Sequence, residues 1–92
     1  MSDLKKIKAK IKEIAGRRAN VTLEEIVWVV SQLKEHGYET DSRPAGDHQT
    51  IFSVDSEIFG ICTHHKGGRQ LKRCYVKEFI NAMIGLGLYE DN

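Results

Sequence analysis

The chain has 92 residues, 40% of them hydrophobic and 8% aromatic, with a formal net charge of +1. That length makes a single domain with a core just large enough to fold without staples. Two cysteines, Cys62 and Cys74, are too few for a disulfide scaffold, so reduced thiols in a cytoplasmic protein are expected. No apolar run approaches the roughly 20 residues that span a bilayer. The opening stretch is charged and amphipathic and lacks the apolar centre of an export signal.

The net charge hides a strong segregation. Residues 1–20 carry seven bases against two acids, and residues 21–42 one base against five acids. Residues 43–77 return to six bases against three acids, and the remaining residues carry only acids. Basic charge gathered in two segments permits a polyanion site, although solvated lysines on exposed faces produce the same pattern.

In chain order, the spacing predicts a first helix over residues 2–15. Leu4, Ile7, Ile11 and Ile14 make a narrow apolar stripe among lysines, which needs a partner surface in the domain or in another chain. Gly16 can end this helix. Residues 1–20 are thus an N-terminal helix and connector, ahead of a core domain over residues 21–92.

A second helix opens at Thr22-Leu23-Glu24-Glu25, a capping box in which the Thr22 hydroxyl accepts from the Glu25 amide and the Glu25 carboxylate reaches back. Leu23, Ile26, Val27, Val30 and Leu33 form its apolar face, with Trp28 and Val29 beside it, and Gly37 suits the left-handed position past its end. From Tyr38 the period changes to two. Short strands are expected over residues 38–43, 47–54 and 57–64, joined by a Pro44-Ala45-Gly46 turn and an Asp55-Ser56 hairpin loop. A polar Gly-rich loop follows over residues 66–72. A last helix runs from residue 73 or 74 to residue 86, with Val76, Phe79, Ile80, Met83 and Ile84 as its apolar face. The fold class is α+β: a three-stranded antiparallel meander with helices over one face, in the α-β-β-β-α layout of a double-stranded-RNA-binding domain with an extra N-terminal helix.

Chemistry is concentrated in few places. His48 follows Pro44-Ala45-Gly46-Asp47 at the entry to the central strand, where glycine allows a phosphate to come close and the strand holds an imidazole that titrates near neutrality. The alternative is a surface histidine at a strand start. His64 and His65 open the Lys66-Gly67-Gly68-Arg69 loop, whose amides and bases suit a phosphate, or which is a solvated connection. His36 ends the second helix, where a cation favours the carbonyl-rich terminus. Cys62, His64, His65 and Cys74 lack zinc-ligand spacing, so no metal site is expected. A P-loop, a dinucleotide fingerprint and a Ser-His-Asp pattern are all missing from the sequence.

These segments together resemble the HicA family of toxin-antitoxin systems over residues 21–90, in a longer form with a leading helix. Val21-Thr22-Leu23-Glu24-Glu25-Ile26 resembles the family's entry to its first core helix, and Leu33-Lys34-Glu35-His36-Gly37-Tyr38-Glu39 the exit into the first strand. Gly46-Asp47-His48-Gln49-Thr50-Ile51-Phe52 is similar to the family's Gly-Ser-His segment, and His65-Lys66-Gly67-Gly68 to its His/Gly loop. Residues 71–88 resemble the closing helix. The motifs are short; their order and spacing carry the likeness.

The resemblance implies a cytoplasmic ribonuclease toxin acting on mRNA, with His48 essential, Gly46 at the turn, and a HicB-like antitoxin protein as its partner. The family commonly has Ser where this chain has Asp47, an acid that either favours protonated His48 or repels phosphate. The mechanism that fits needs no metal or cofactor: His48 serves as general acid or base while the ribose 2′-hydroxyl attacks the adjacent phosphate. Charge and loop position add Arg43, Lys66 and Arg69 as phosphate-positioning groups. A non-catalytic RNA-binding module on the same fold is the rival reading, and a protein-interaction module a third.

Overall fold

A computed structural model describes residues 4–17, 20–45, 49–62, 71 and 73–90. The architecture is α+β, with α1 (Leu4–Arg17), α2 (Leu23–Glu35), β1 (Thr40–Pro44), β2 (Gln49–Val54), β3 (Glu57–Cys62) and α3 (Arg73–Gly85). The strands form one antiparallel sheet in the order β1-β2-β3. The expected element order therefore holds, with shifts at the ends. The first helix continues through Gly16 to Arg17, and Pro44, read as a turn residue, closes β1.

Local chemistry sets the boundaries of α2. Thr22 has extended backbone and its hydroxyl accepts from the Glu25 amide at 3.4 Å. The other arm of the box goes elsewhere: the Glu25 carboxylate accepts from the Thr22 hydroxyl and from Lys10 and Arg17 of α1. At the far end Gly37 takes φ +96°, which only glycine adopts without strain. Its amide reaches the Lys34 carbonyl at 3.1 Å while the Tyr38 amide reaches Leu33 at 3.1 Å, a Schellman closure. α3 ends the same way: Gly87 has φ +76°, and the Gly87 and Leu88 amides donate to Ile84 and Met83 at 3.0 and 2.9 Å.

The core lies between one face of the sheet and the helices. Phe52 and Val54 of β2 and Phe59 and Ile61 of β3 face Val76, Phe79, Ile80 and Met83 of α3. α1 completes this core: Ile7, Ile11 and Ile14 are fully buried and Leu4 partly so. Two expectations about helix faces need correction. On α2 Val29 is buried and Val27 is 44% exposed, because at 100° per residue Val27 stands far from the line through Ile26, Val29, Val30 and Leu33. On α3 Ala82 is buried and Ile84 exposed for the same reason. Among the described residues no helix is long and apolar enough to cross a membrane.

Candidate nucleic-acid interface

The register places the site-bearing segments. Gln49, the first residue of β2, is paired with Cys62, the last of β3. The β1–β2 hairpin closes at the same end, where the Ala45 amide donates to the Gln49 carbonyl at 3.0 Å. The described residues before and after residues 46–48, and the residue before residues 63–70, are thus neighbours at one end of the sheet. The Leu71 amide donates to the Val21 carbonyl at 2.7 Å, which holds the segments that precede α2 and α3 together.

Of the residues expected to act on RNA, Arg43 is described. It is exposed on β1, opposite Ile51, on the face of the sheet turned away from the helices. Gly46, Asp47, His48, His64, His65, Lys66 and Arg69 lie outside the described residues. His36 is exposed at the α2 C-cap, as its sequence position suggested, with its amide donating to the Leu33 carbonyl at 3.1 Å.

Tyr75, which no sequence motif marks, is a half-buried residue of α3. Its hydrogen bond with Cys62 holds the phenol above its ordinary range, with the nearby Cys62 charge, burial, Cys74 and Glu78 adding in the same direction. No local pattern links residues 62 and 75; the contact arises because α3 packs along β3. Both cysteines are free thiols.

The open face carries Asp41, Arg43, Gln49, Ile51, Ser53, Ile58 and Gly60, as the register and the two-residue period require; Cys62, at the strand end, turns toward Tyr75 of α3 instead. Among the described residues of this face none is aromatic, so they offer no base-stacking platform of the kind that reads single strands. The face is tightly surfaced at Gly60, where an added Cβ would meet Gln49 Nε2 at 3.2 Å and Ile51 Cδ1 at 3.3 Å. Compared with family models, curated proteins and solved structures, the chain matches none.

Proposed function

We propose that the chain is a HicA-like toxin, a ribonuclease that cleaves mRNA with His48 as its proton carrier and a HicB-like antitoxin as its partner. The observation that supports this best is the Gln49–Cys62 pairing. It brings the strand ends that flank the His48 segment and the Lys66–Arg69 loop side by side, as a composite phosphate site demands. The order α2-β1-β2-β3-α3 is compatible with a double-stranded-RNA-binding-domain layout, to which α1 adds a helix. The motif order from Val21 to Glu90 supplies the rest of the case.

In this reading RNA supplies its own nucleophile. His48 takes the proton of the 2′-hydroxyl as its oxygen bonds to phosphorus. The phosphorus–O5′ bond breaks, leaving a 2′,3′-cyclic phosphate and a 5′-hydroxyl that collects a proton. Lys66, Arg69 and Arg43 hold the phosphate and offset its growing charge. No external water or metal-bound hydroxide is required.

The test compares wild type with His48→Ala on a structured transcript in EDTA, with circular dichroism confirming that both are folded. Cleavage by wild type and its loss in the variant is expected. Asp47→Ser should preserve or raise activity. Equal cleavage by His48→Ala removes the histidine from the mechanism. Salt-dependent binding without cleavage by either protein moves the function to a non-catalytic RNA-binding module.

A further inference from the structure

β1 is an edge strand, and two hydrogen bonds reveal which way its peptide groups point. The Asp55 amide donates to the Glu39 carbonyl at 2.7 Å, and the Ala45 amide to the Gln49 carbonyl at 3.0 Å. Glu39 and Ala45 are an even number of residues apart. Antiparallel pairing alternates, so Asp41 and Arg43 also bond inward to β2. Thr40, Ser42 and Pro44 then turn their peptide groups outward. Thr40 and Ser42 each offer an N–H and a carbonyl, and Pro44 a carbonyl only. Such a row is a template for another strand.

The side chains around this edge are arranged for one particular strand. Asp41 and Arg43 are exposed on the open face, on either side of Ser42. On the other face a groove of about 270 Å³ runs between β1 and α2, lined by Val27, Val30, Ser31, Ser42 and Phe52 among others. Among the described residues, Val27 is a large apolar side chain left exposed.

We propose that β1 pairs antiparallel with β1 of a second copy of the chain, about a two-fold axis through Ser42. In that register Ser42 faces the partner's Ser42, Thr40 faces the partner's Pro44, and Asp41 faces the partner's Arg43. The outward-turned residues of one copy meet those of the other. Each Ser42 donates to and accepts from its counterpart, and each Thr40 N–H donates to the partner's Pro44 carbonyl. Asp41 and Arg43 form a cross-strand ion pair twice over on the open face. On the helix side the two α2 helices approach along Val27. The result is one continuous sheet through an isologous contact.

Charge selects this register. Sliding the pairing by one step of the ladder places Asp41 against the partner's Asp41, or Arg43 against the partner's Arg43. Like charges directly opposite one another destabilise a strand pair. Charged side chains and proline on an edge commonly block pairing; here the opposite signs flank a small central residue and complement their own reverse, and Pro44 stands at the strand end, where the register asks only for its carbonyl. The other edge, β3, turns Ile58, Gly60 and Cys62 outward and has no such complement. One short strand and one apolar side chain per copy bury little area, so the dissociation constant should be roughly micromolar or weaker. The inference does not depend on RNA cleavage; in the dimer Arg43 faces the partner's Asp41 rather than phosphate.

Sedimentation equilibrium of the full chain over a wide concentration range tests this. Wild type is expected to pass from monomer to dimer. Asp41→Arg alone and Arg43→Asp alone should each weaken association by about tenfold or more. The double variant Asp41→Arg/Arg43→Asp should restore it, since the complement is only reversed. Ser42→Pro removes the central outward N–H without touching the β1–β2 ladder, and should leave a folded monomer by circular dichroism. A wild type that stays monomeric at the highest concentration overturns the proposal. So does a double variant as weak as the single ones, or dissociation by Ile58→Asp but not by Asp41→Arg.

Discussion

Phe52 and Phe59 stand directly opposite one another on β2 and β3, and their rings stack with centroids 5.4 Å apart and planes 19° from parallel. Phe59 then meets Phe79 of α3 edge-on, at 5.5 Å and 74°. Sheet and helix are therefore joined through one ring. Phe59 is almost fully buried, and its loss leaves a cavity between elements held rigidly by their own hydrogen bonds. Phe59→Ala should destabilise the protein by about 3–5 kcal/mol. Phe52→Ala, at the groove side of the cluster, should cost less. Urea denaturation of both variants reads the order.

Two glycines that look alike in sequence should respond oppositely to alanine. Gly16 lies within the last turn of α1, and a Cβ there meets nothing within 4 Å. Gly16→Ala should stabilise the protein by about 0.5–1 kcal/mol through helix propensity. Gly37 also has open space around its Cβ, but its φ of +96° penalises any L side chain. Gly37→Ala should cost about 1–2 kcal/mol. A thermal melt of each variant should move the midpoint up for the first and down for the second.

This contrast shows what the sequence could and could not reveal. Caps are local: Thr22 followed by Glu25, and glycine after the last apolar residue of α2, mark that helix without tertiary information. Alternation located β2 and β3 to within two residues among the described positions, since one face of the sheet is buried. The α1 stripe was legible as apolar but not its destination, the surface of α2 and α3. Val27 and Val29 could not be ranked, because which of two adjacent valines points inward depends on where the neighbouring helices lie. The same holds for Tyr75 and Cys62, joined only by packing. Of the candidate site, the register shows that its flanking strands converge, while His48, Gly46, Lys66 and Arg69 lie outside the described residues. Arg43 was legible as a cation, but its place on the open face of the sheet, opposite Ile51, needed the strand register.

Glu25 is the acid that joins the capping of α2 to α1. Lys10 Nζ lies 3.2 Å from Glu25 Oε2 and 3.2 Å from Glu13, and Arg17 reaches both Glu13, at 3.3 Å, and Glu25. Burial alone would raise the Glu25 carboxyl, but hydrogen bonds from Lys10 and Arg17 outweigh it and hold the group below its usual range. Lys10 mirrors this: burial would lower its ammonium, yet the bonds to Glu13 and Glu25 hold it above its ordinary value. A carboxyl depressed in the folded state adds stability above its unfolded pKa of about 4.5, and that stability is lost as pH falls through the lower folded value. The Lys10 contribution is present below its unfolded pKa of 10.5 and is lost only as pH rises past the folded value above it. The network is therefore intact across neutral pH. Glu25→Gln removes the charge but keeps the shape, leaving Lys10 and Arg17 with a neutral amide oxygen in place of a carboxylate and with Glu13 as their remaining anionic partner. It should cost about 1 kcal/mol at pH 7, since the side chain is 18% exposed and its partners more so. The difference between variant and wild type should shrink as pH drops below 4.5, where wild-type Glu25 protonates and the two side chains become alike. Urea unfolding at pH 7, 5 and 3 measures it. A gap between the two proteins that stays constant down to pH 3 would show that Glu25 acts through packing rather than charge.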